Sequence, residues 1–316
     1  MRAVQFTEYG PPSVVHLAEV AEPHPGPGEI RIAVRASGLS AGETLLRSGR
    51  LRDVVPLTLP YRTGFDAAGV VDEVGDGVSG VRLGDEVFGV TAMTVRGANA
   101  DHAVLTGWAR KPAAWSWAEA GGAAGGVETS TRVLDRLAVG AGHTVLVQGA
   151  AGGVGSLAVQ FAVARGATVI GTASAHNHDF LRSLGAEPTT YGAGLVERVR
   201  TLAPDGVDAV FDCAGGALPD LIAIAGDAAR VVTIADFAAA AHGVHMSHGA
   251  PADETGAAVG AAADPLALHG LDIAVGLAEQ GWLRVPVAAA FPLAEAAAAH
   301  ELSESRHARG RIVLVN

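Results

Sequence analysis

The sequence predicts an α/β protein in two parts, a mostly β part followed by a doubly wound parallel sheet. Three observations carry this. Up to about Trp117, short β-rich runs alternate with turn clusters. From Ala118 the apolar runs "TVLVQ", "TVIGT", "DAVFDCAG" and "RVVTIAD" are spaced by helical segments, the texture of a parallel sheet. Between the first two of those runs lies "VLVQGAAGGVGSLAVQ", with four glycines and three alanines packed around one turn.

In chain order, the expected strands are Ile30–Ala36, Gly69–Val74 and Glu86–Val90, punctuated by "PHPGPGE" and "VGDGVSGVRLGD". Asp76-Gly77 and Gly84-Asp85 suit tight turns between them. Thr144–Gln148 reads as a buried strand and Ser156–Arg165 as a helix. "ATVIGTA", Ala167 to Ala173, completes a βαβ unit. Residues 251–265, rich in alanine, glycine and aspartate, read as a loop. "FPLAEAAAAHELSESRHARGRIVLVN" gives a helix, a glycine turn and a final strand.

The turn Gly149-Ala150-Ala151-Gly152-Gly153-Val154-Gly155 admits two readings. One is a tight strand-to-helix corner. The other is a dinucleotide fingerprint, in which bare backbone N–H groups at a helix N-terminus meet a pyrophosphate. An NAD-selective site carries an acid about 20 residues beyond the glycines, to grip the ribose 2′-hydroxyl. Here that count reaches Ser174 in "GTASAHNHDF", and no acid precedes Asp179. A carboxylate would repel a 2′-phosphate, so its absence points to NADPH. Ser174, His176, Asn177 and His178 are the polar groups at hand, and no Arg or Lys stands among them; for the two histidines a solvated loop is the competing reading.

Composition narrows the function classes. A net charge of −11 argues against nucleic acid and anionic membrane as partners. The single cysteine, Cys213, excludes intramolecular disulfides and cysteine-rich metal sites. The N-terminus has no apolar signal region, and no run of roughly 18 uninterrupted apolar residues appears. The expected location is cytoplasmic.

The colinear series "MRAVQFTEYGPPSVVHLAEV", "PGPGEIRIAVRASGLS", "TGFDAAGVVDEVGDGV", "GDEVFGV", "VLVQGAAGGVGSLAVQFAVARGATVIGTAS", "FLRSLGAE" and "RGRIVLV" resembles the medium-chain dehydrogenase/reductase superfamily, in its zinc-independent quinone oxidoreductase and enoyl reductase branch. The resemblance implies a GroES-like, partly β-barrel substrate domain over 1–117 and 287–316, and a Rossmann NADP(H)-binding domain over 118–286. It implies a small-molecule substrate in a cleft over the nicotinamide and, commonly, a homodimer. Zinc-dependent members carry a Cys and a His-Glu where this chain has Ser40 and Phe65-Asp66, so no metal is expected.

Without a Lewis acid, a quinone or α,β-unsaturated carbonyl suits the site better than a simple ketone, because charge from hydride addition spreads onto an oxygen that hydrogen-bond donors can hold. Residue by residue, the resemblance places Ser40, Glu43 and Asn99 at the catalytic end. It places Thr129, Gly149, Ala151, Gly152, Gly153, Val154, Gly155, Ser174, His176, His178, Tyr191, Cys213, Ala214, Ala235 and Arg311 around the cofactor. Each has a structural reading beside it: Ser40 as a turn residue, Glu43 as a carboxylate satisfying backbone, Thr129 as a packing or capping residue. For Cys213 it is an inert buried thiol, and for Arg311 a partner to an acid. Arg62-Thr63, Asn99 and Ala123-Ala124-Gly125 depart from the family pattern toward small or polar side chains. These departures predict a wider pocket for a bulky oxygenated substrate, with neutral drift in an alanine-rich chain as the competing explanation. A second function keeps the fold without redox turnover, as an NADP(H)-binding scaffold or a cyclase using the same cleft.

Overall fold

A computed structural model describes residues 1–93, 95–250 and 263–316. The chain forms two compact units, Met1–Gly125 with Leu271–Asn316, and Gly126–Gly270.

The first unit opens with strands β1 (Arg2–Phe6), β2 (His16–Glu19) and β3 (Ile30–Leu39), then helix α1 (Ala41–Arg47). Strands β4 (Tyr61–Arg62), β5 (Asp66–Val74), β6 (Glu86–Val90), β7 (His102–Leu105) and β8 (Gly107–Arg110) follow, then helix α2 (Trp117–Gly121). Ser116 caps α2, accepting the Glu119 N–H at 3.2 Å, while the Glu119 carboxylate takes the Ser116 N–H at 2.8 Å. Because α2 packs on β3 and β5, this helix belongs to the β-rich unit, and the division falls at Gly125 rather than at the change of texture near Trp117.

Helix α3 (Ala124–Arg136) leads to β9 (Thr144–Gln148), α4 (Gly155–Ala164), β10 (Thr168–Thr172), α5 (His178–Ser183) and β11 (Ala186–Thr189). Then come α6 (Leu195–Leu202), β12 (Ala209–Asp212), α7 (Leu218–Ala225), β13 (Val231–Thr233) and β14 (His245–Met246). All six strands from β9 to β14 are parallel, in the order β11-β10-β9-β12-β13-β14. One face is filled by Leu146, Ile170, Val210 and Val231 against Val199 and Leu221 from α6 and α7. The chain leaves β9 first to one side and then to the other, so the carboxyl end of β9 is a topological switch point, where open α/β sheets bind ligands. A short parallel pair, β15 (Gly249–Ala250) and β16 (Asp264–Pro265), brackets residues 251–262. Most of the loop expected over 251–265 thus lies outside the described residues.

Helix α8 (His269–Glu279) returns the chain to the β-rich unit, which ends with β17 (Val287–Pro292), α9 (Ala296–Ser305) and β18 (Arg311–Val315). Its main sheet runs β17-β18-β3-β5-β6-β8, with β7 also on β3, and β2-β1-β4 form a second sheet. The last strand runs antiparallel to β3, Ile312 opposite Leu39. Among the described residues no helix is long and apolar enough to cross a membrane.

Behind α9, His300 is fully buried and neither ring nitrogen has a hydrogen-bond partner. Burial, with the Arg47 charge nearby, drives its pKa from 6.5 down to about 4. The folded pKa is the lower one, so its contribution is complete above the unfolded value and is lost as pH falls from 6.5 toward about 4. Moving from neutral pH to about pH 5 should therefore remove about 2 kcal/mol. His300→Leu should flatten that dependence in urea unfolding of the β-rich unit. An identical pH slope in the variant would show that His300 is not the titrating group.

Candidate active site

The glycine turn follows from local sterics. Gly149 leaves β9 at φ 74°, and a Cβ there would sit 3.0 Å from Ala214 Cβ. At Gly155 a Cβ would lie 2.3 Å from the Gly149 carbonyl oxygen and 2.9 Å from Ala150 Cα, so helix and strand approach only because no side chain intervenes. Gly152 differs, since a Cβ there would meet only the Gly149 oxygen, at 3.3 Å. Ser156 N–H donates to Gly152 O at 3.0 Å and Gly152 N–H to Gly149 O at 3.1 Å, while the N–H groups of Gly153, Val154 and Gly155 have no place in the α4 ladder. The turn is held from below: Gly149 N–H donates to Thr172 Oγ1 (3.0 Å), whose hydroxyl donates to Gln148 Oε1 (2.6 Å). The residues present therefore fit a pyrophosphate, within what is also a tight strand-to-helix corner.

The neighbouring strand ends converge on it. Buried Asp212, closing β12, accepts the N–H groups of Ala214 (3.0 Å) and Gly215 (2.9 Å) and the Thr233 hydroxyl (2.7 Å). Thr233 Oγ1 in turn accepts Ala235 N–H at 3.1 Å. At Gly215, φ 73°, a Cβ would stand 3.0 Å from Ala235 O. Gly149, Ala214 and Ala235 are thus brought to one edge, with Cys213 between; burial pushes the Cys213 thiol well above its ordinary value, as an inert thiol requires. At the ends of β10 and β11, Ser174 Oγ lies 3.3 Å from Tyr191 OH. His176 is exposed beside them, and His178 heads α5. Thr129, half-buried on α3, donates to Glu128 Oε2 at 3.3 Å. The sequence reading missed Gln148, Thr172, Asp212 and Thr233. The signal for Asp212 was present in "FDCAGG", where an acid precedes two glycines whose amides it can collect.

In the β-rich unit the residues assigned to catalysis are drawn together, but mostly below the surface. Asn99 is fully buried: its Oδ1 accepts Ser37 Oγ at 2.7 Å and its Nδ2 donates to Thr63 Oγ1 at 2.8 Å. Glu43 is buried as well, taking the N–H of Ser40 at 3.2 Å and that of Gly64. Burial raises its pKa, opposed by the Arg96 charge and those two amides. Gly64 is obligatory there, since at φ 100° its Cβ would fall 2.2 Å from Asn99 N. These contacts correct the expectation that Asn99 and Glu43 act on substrate; both are positioning residues whose polar atoms are occupied by the fold. Thr63 and Ala124 are also buried, so Thr63, Asn99 and Ala124, three of the departures from the family pattern, do not line an open, widened wall. Ser40, at the start of α1, is the half-exposed member.

Arg311 likewise departs from the phosphate-binding expectation. It is buried in β18 with Nη2 3.0 Å from Asp66 Oδ2, and Asp66 also accepts Gly125 N–H at 2.8 Å. Its guanidinium is buried and pairs through Nη2 with a buried carboxylate, the acid-partner arrangement rather than one turned out toward an adenosine phosphate. The same pairing occupies Asp66 at the position where zinc-dependent relatives carry their His-Glu. Among the described residues no cluster of three His, Cys, Asp or Glu side chains could hold a metal ion.

A parallel sheet with a glycine turn at its switch point and a β-rich unit built from both ends of the chain are the two parts of a dinucleotide-dependent dehydrogenase or reductase. The comparisons place it further. The Alcohol dehydrogenase GroES-like domain family matches residues 26–169, and the Zinc-binding dehydrogenase family matches 184–314. The quinone oxidoreductase of Rattus norvegicus is 30% identical over 325 residues, covering all of this chain and 98% of that one. Among solved structures, a quinone oxidoreductase from Coxiella burnetii superimposes with TM-score 0.78 at 27% identity, covering 100% and 99% of the two chains. An NAD-dependent alcohol dehydrogenase does so with TM-score 0.82 at 28% identity, covering 100% of both. The chain belongs to the medium-chain dehydrogenase/reductase superfamily, in the quinone oxidoreductase branch, and is an oxidoreductase.

Proposed function

We propose that the protein is an NADPH-dependent, zinc-independent reductase of a quinone or α,β-unsaturated carbonyl, acting in the cytoplasm as a homodimer. One observation carries the cofactor choice: the end of β10 presents Ser174, hydrogen-bonded to Tyr191, where a carboxylate would select NAD. Gly152, Gly153 and Val154 would hold the pyrophosphate, Ala214 and Ala235 would line the dinucleotide's path, and Ser174 and Tyr191 would receive the 2′-phosphate. Bound there, the cofactor supplies a hydride. Zinc independence is supported by the donor set, since Ser40 and the Asp66–Arg311 pair offer no thiolate or imidazole ligand. Ser40, half-exposed and with its N–H fixed by Glu43, is suited to donate its hydroxyl to the oxygen on which charge develops.

Ser174→Asp tests the cofactor assignment. A carboxylate facing the 2′-phosphate should weaken NADPH at least about tenfold while NADH changes little or tightens. Equal loss for both cofactors, or wild-type protein that binds NADH as tightly as NADPH, would remove Ser174 from this role.

A further inference from the structure

The β-rich unit carries two arginines, Arg62 and Arg96, that no ion pair among the described residues engages. Arg62, on β4, and Arg96, in the segment after β6, are both half-buried. The chain has 33 acidic residues against 22 lysines and arginines, so a cation has ample chance of finding a carboxylate. Yet among the described residues neither guanidinium has one within ion-pair distance, whereas half-buried Arg31 has Asp72 at 3.0 Å and buried Arg311 has Asp66. Arg96 instead lies over the Phe65 ring, 5.3 Å from its centroid, and its Nη2 is 4.0 Å from the Met93 sulfur. Stacking of this kind uses the face of the guanidinium and leaves its N–H edge open.

The two side chains flank the same piece of backbone. A Cβ built on Gly97 would lie 3.8 Å from Arg62 Cβ and Nε, so Arg62 runs along the residue next to Arg96. Arg96 itself sits at φ 50°, a conformation that residues with a Cβ seldom adopt, followed by Gly97 at φ 93°. The Phe65 ring that Arg96 covers follows Gly64, whose N–H the Glu43 carboxylate accepts, so Arg96 stands near the corner where Glu43 also holds the Ser40 amide. Two partly buried cations with no ion-pair partner, the Glu43 charge acting on Arg96 only from beyond that range, leave a further negative charge to be supplied.

We propose that Arg62 and Arg96 form an anion-binding corner, and that the substrate of this oxidoreductase carries a carboxylate or a phosphate that seats on it. The proposal rests on the reductase reading for its chemistry, and on Arg62 and Arg96 alone for the anion. The planar edges of the guanidinium groups match either oxyanion with paired N–H donors. The anion lies on a part of the substrate remote from the reacting bond, and so selects and orients rather than reacts.

The test compares NADPH consumption with a neutral naphthoquinone, its carboxylate derivative and its phosphate-ester derivative, in wild type, Arg62→Gln, Arg96→Gln and the double variant. The expected result is a preference for one of the anionic acceptors. The ratio of its kcat/KM to that of the neutral acceptor should fall about tenfold per arginine removed, mainly through KM. Arg96→Lys should restore part of the ratio, a rescue that a merely structural role would not give. Thermal midpoints of all variants identify any that fail to fold. The derivative that gains distinguishes carboxylate from phosphate. Neutral and anionic acceptors turned over alike, with a ratio unmoved by the substitutions, would overturn the anion corner and leave the reductase reading standing. Should no acceptor oxidise NADPH, the reductase reading fails instead, and direct binding decides the corner. Tighter binding of 2-naphthoate or 2-naphthyl phosphate than of 2-naphthamide, lost in the double variant, would support it, and equal binding of all three would overturn it.

Discussion

Gly152→Val is expected to lower the affinity for NADPH and NADH together by about 100-fold or more, in a protein that still folds. The two halves of that result have separate causes. A Cβ at Gly152 meets only the Gly149 carbonyl oxygen, at 3.3 Å, a contact that a few tenths of an ångström relieve. The branched side chain then stands where the N–H groups ahead of α4 would meet the pyrophosphate. Losing two or so charge-assisted hydrogen bonds, each worth about 1.5–3 kcal/mol, accounts for the size of the effect. Gly155→Val provides the contrast, because its Cβ would lie 2.3 Å from the Gly149 oxygen and 2.9 Å from Ala150 Cα, both backbone atoms. That variant should lose the fold of the turn itself. Titration by nicotinamide fluorescence, with far-ultraviolet circular dichroism as the folding control, separates the two. A Gly152→Val protein that binds either cofactor like wild type would contradict the placement of the pyrophosphate.

Arg311→Met should destabilise the β-rich unit by about 3–5 kcal/mol, the cost of leaving Asp66 charged, buried and without its partner. Adding Asp66→Asn should recover much of the loss, since the amide oxygen still accepts Gly125 N–H and no charge remains. Urea unfolding midpoints measure both. NADPH affinity, extrapolated to the folded protein, should stay within about twofold of wild type. A selective loss of NADPH over NADH, with little loss of stability, would mean that Arg311 serves the 2′-phosphate after all.

That pair shows where sequence reading loses its grip. The stretch from β9 to β10 was legible nearly to the residue, because strand, turn and helix follow one another and glycine sterics are local: Thr144–Gln148 is the strand expected, and the helix begins at Gly155 against an expected Ser156. Arg311 and Asp66 stand 245 positions apart, and no local pattern says that the second arginine in "RGRIVLV" will meet an acid in "TGFDAAG". The same holds for Asn99, whose amide is taken by Ser37 and Thr63 from 62 and 36 residues away. A polar residue at an unusual position looks like chemistry in the sequence and proves to be packing once its partners are in place. Glu43 is the intermediate case. Its bond to Ser40 spans three residues and was readable as a turn, while its bond to Gly64 was not. Arg62 and Arg96 run the other way, gaining interest because neither has a carboxylate within ion-pair distance among the described residues.

The central claim is tested most directly by following the near-ultraviolet absorbance of NADPH, and of NADH in parallel, as purified protein is mixed with a panel of quinones and α,β-unsaturated carbonyls after treatment with a metal chelator. Acceptor-dependent loss of NADPH is expected, undiminished by the chelator, with kcat/KM for NADPH at least about tenfold above that for NADH. Binding of NADPH without its consumption by any acceptor, or turnover that disappears on chelation and returns with zinc, would contradict it.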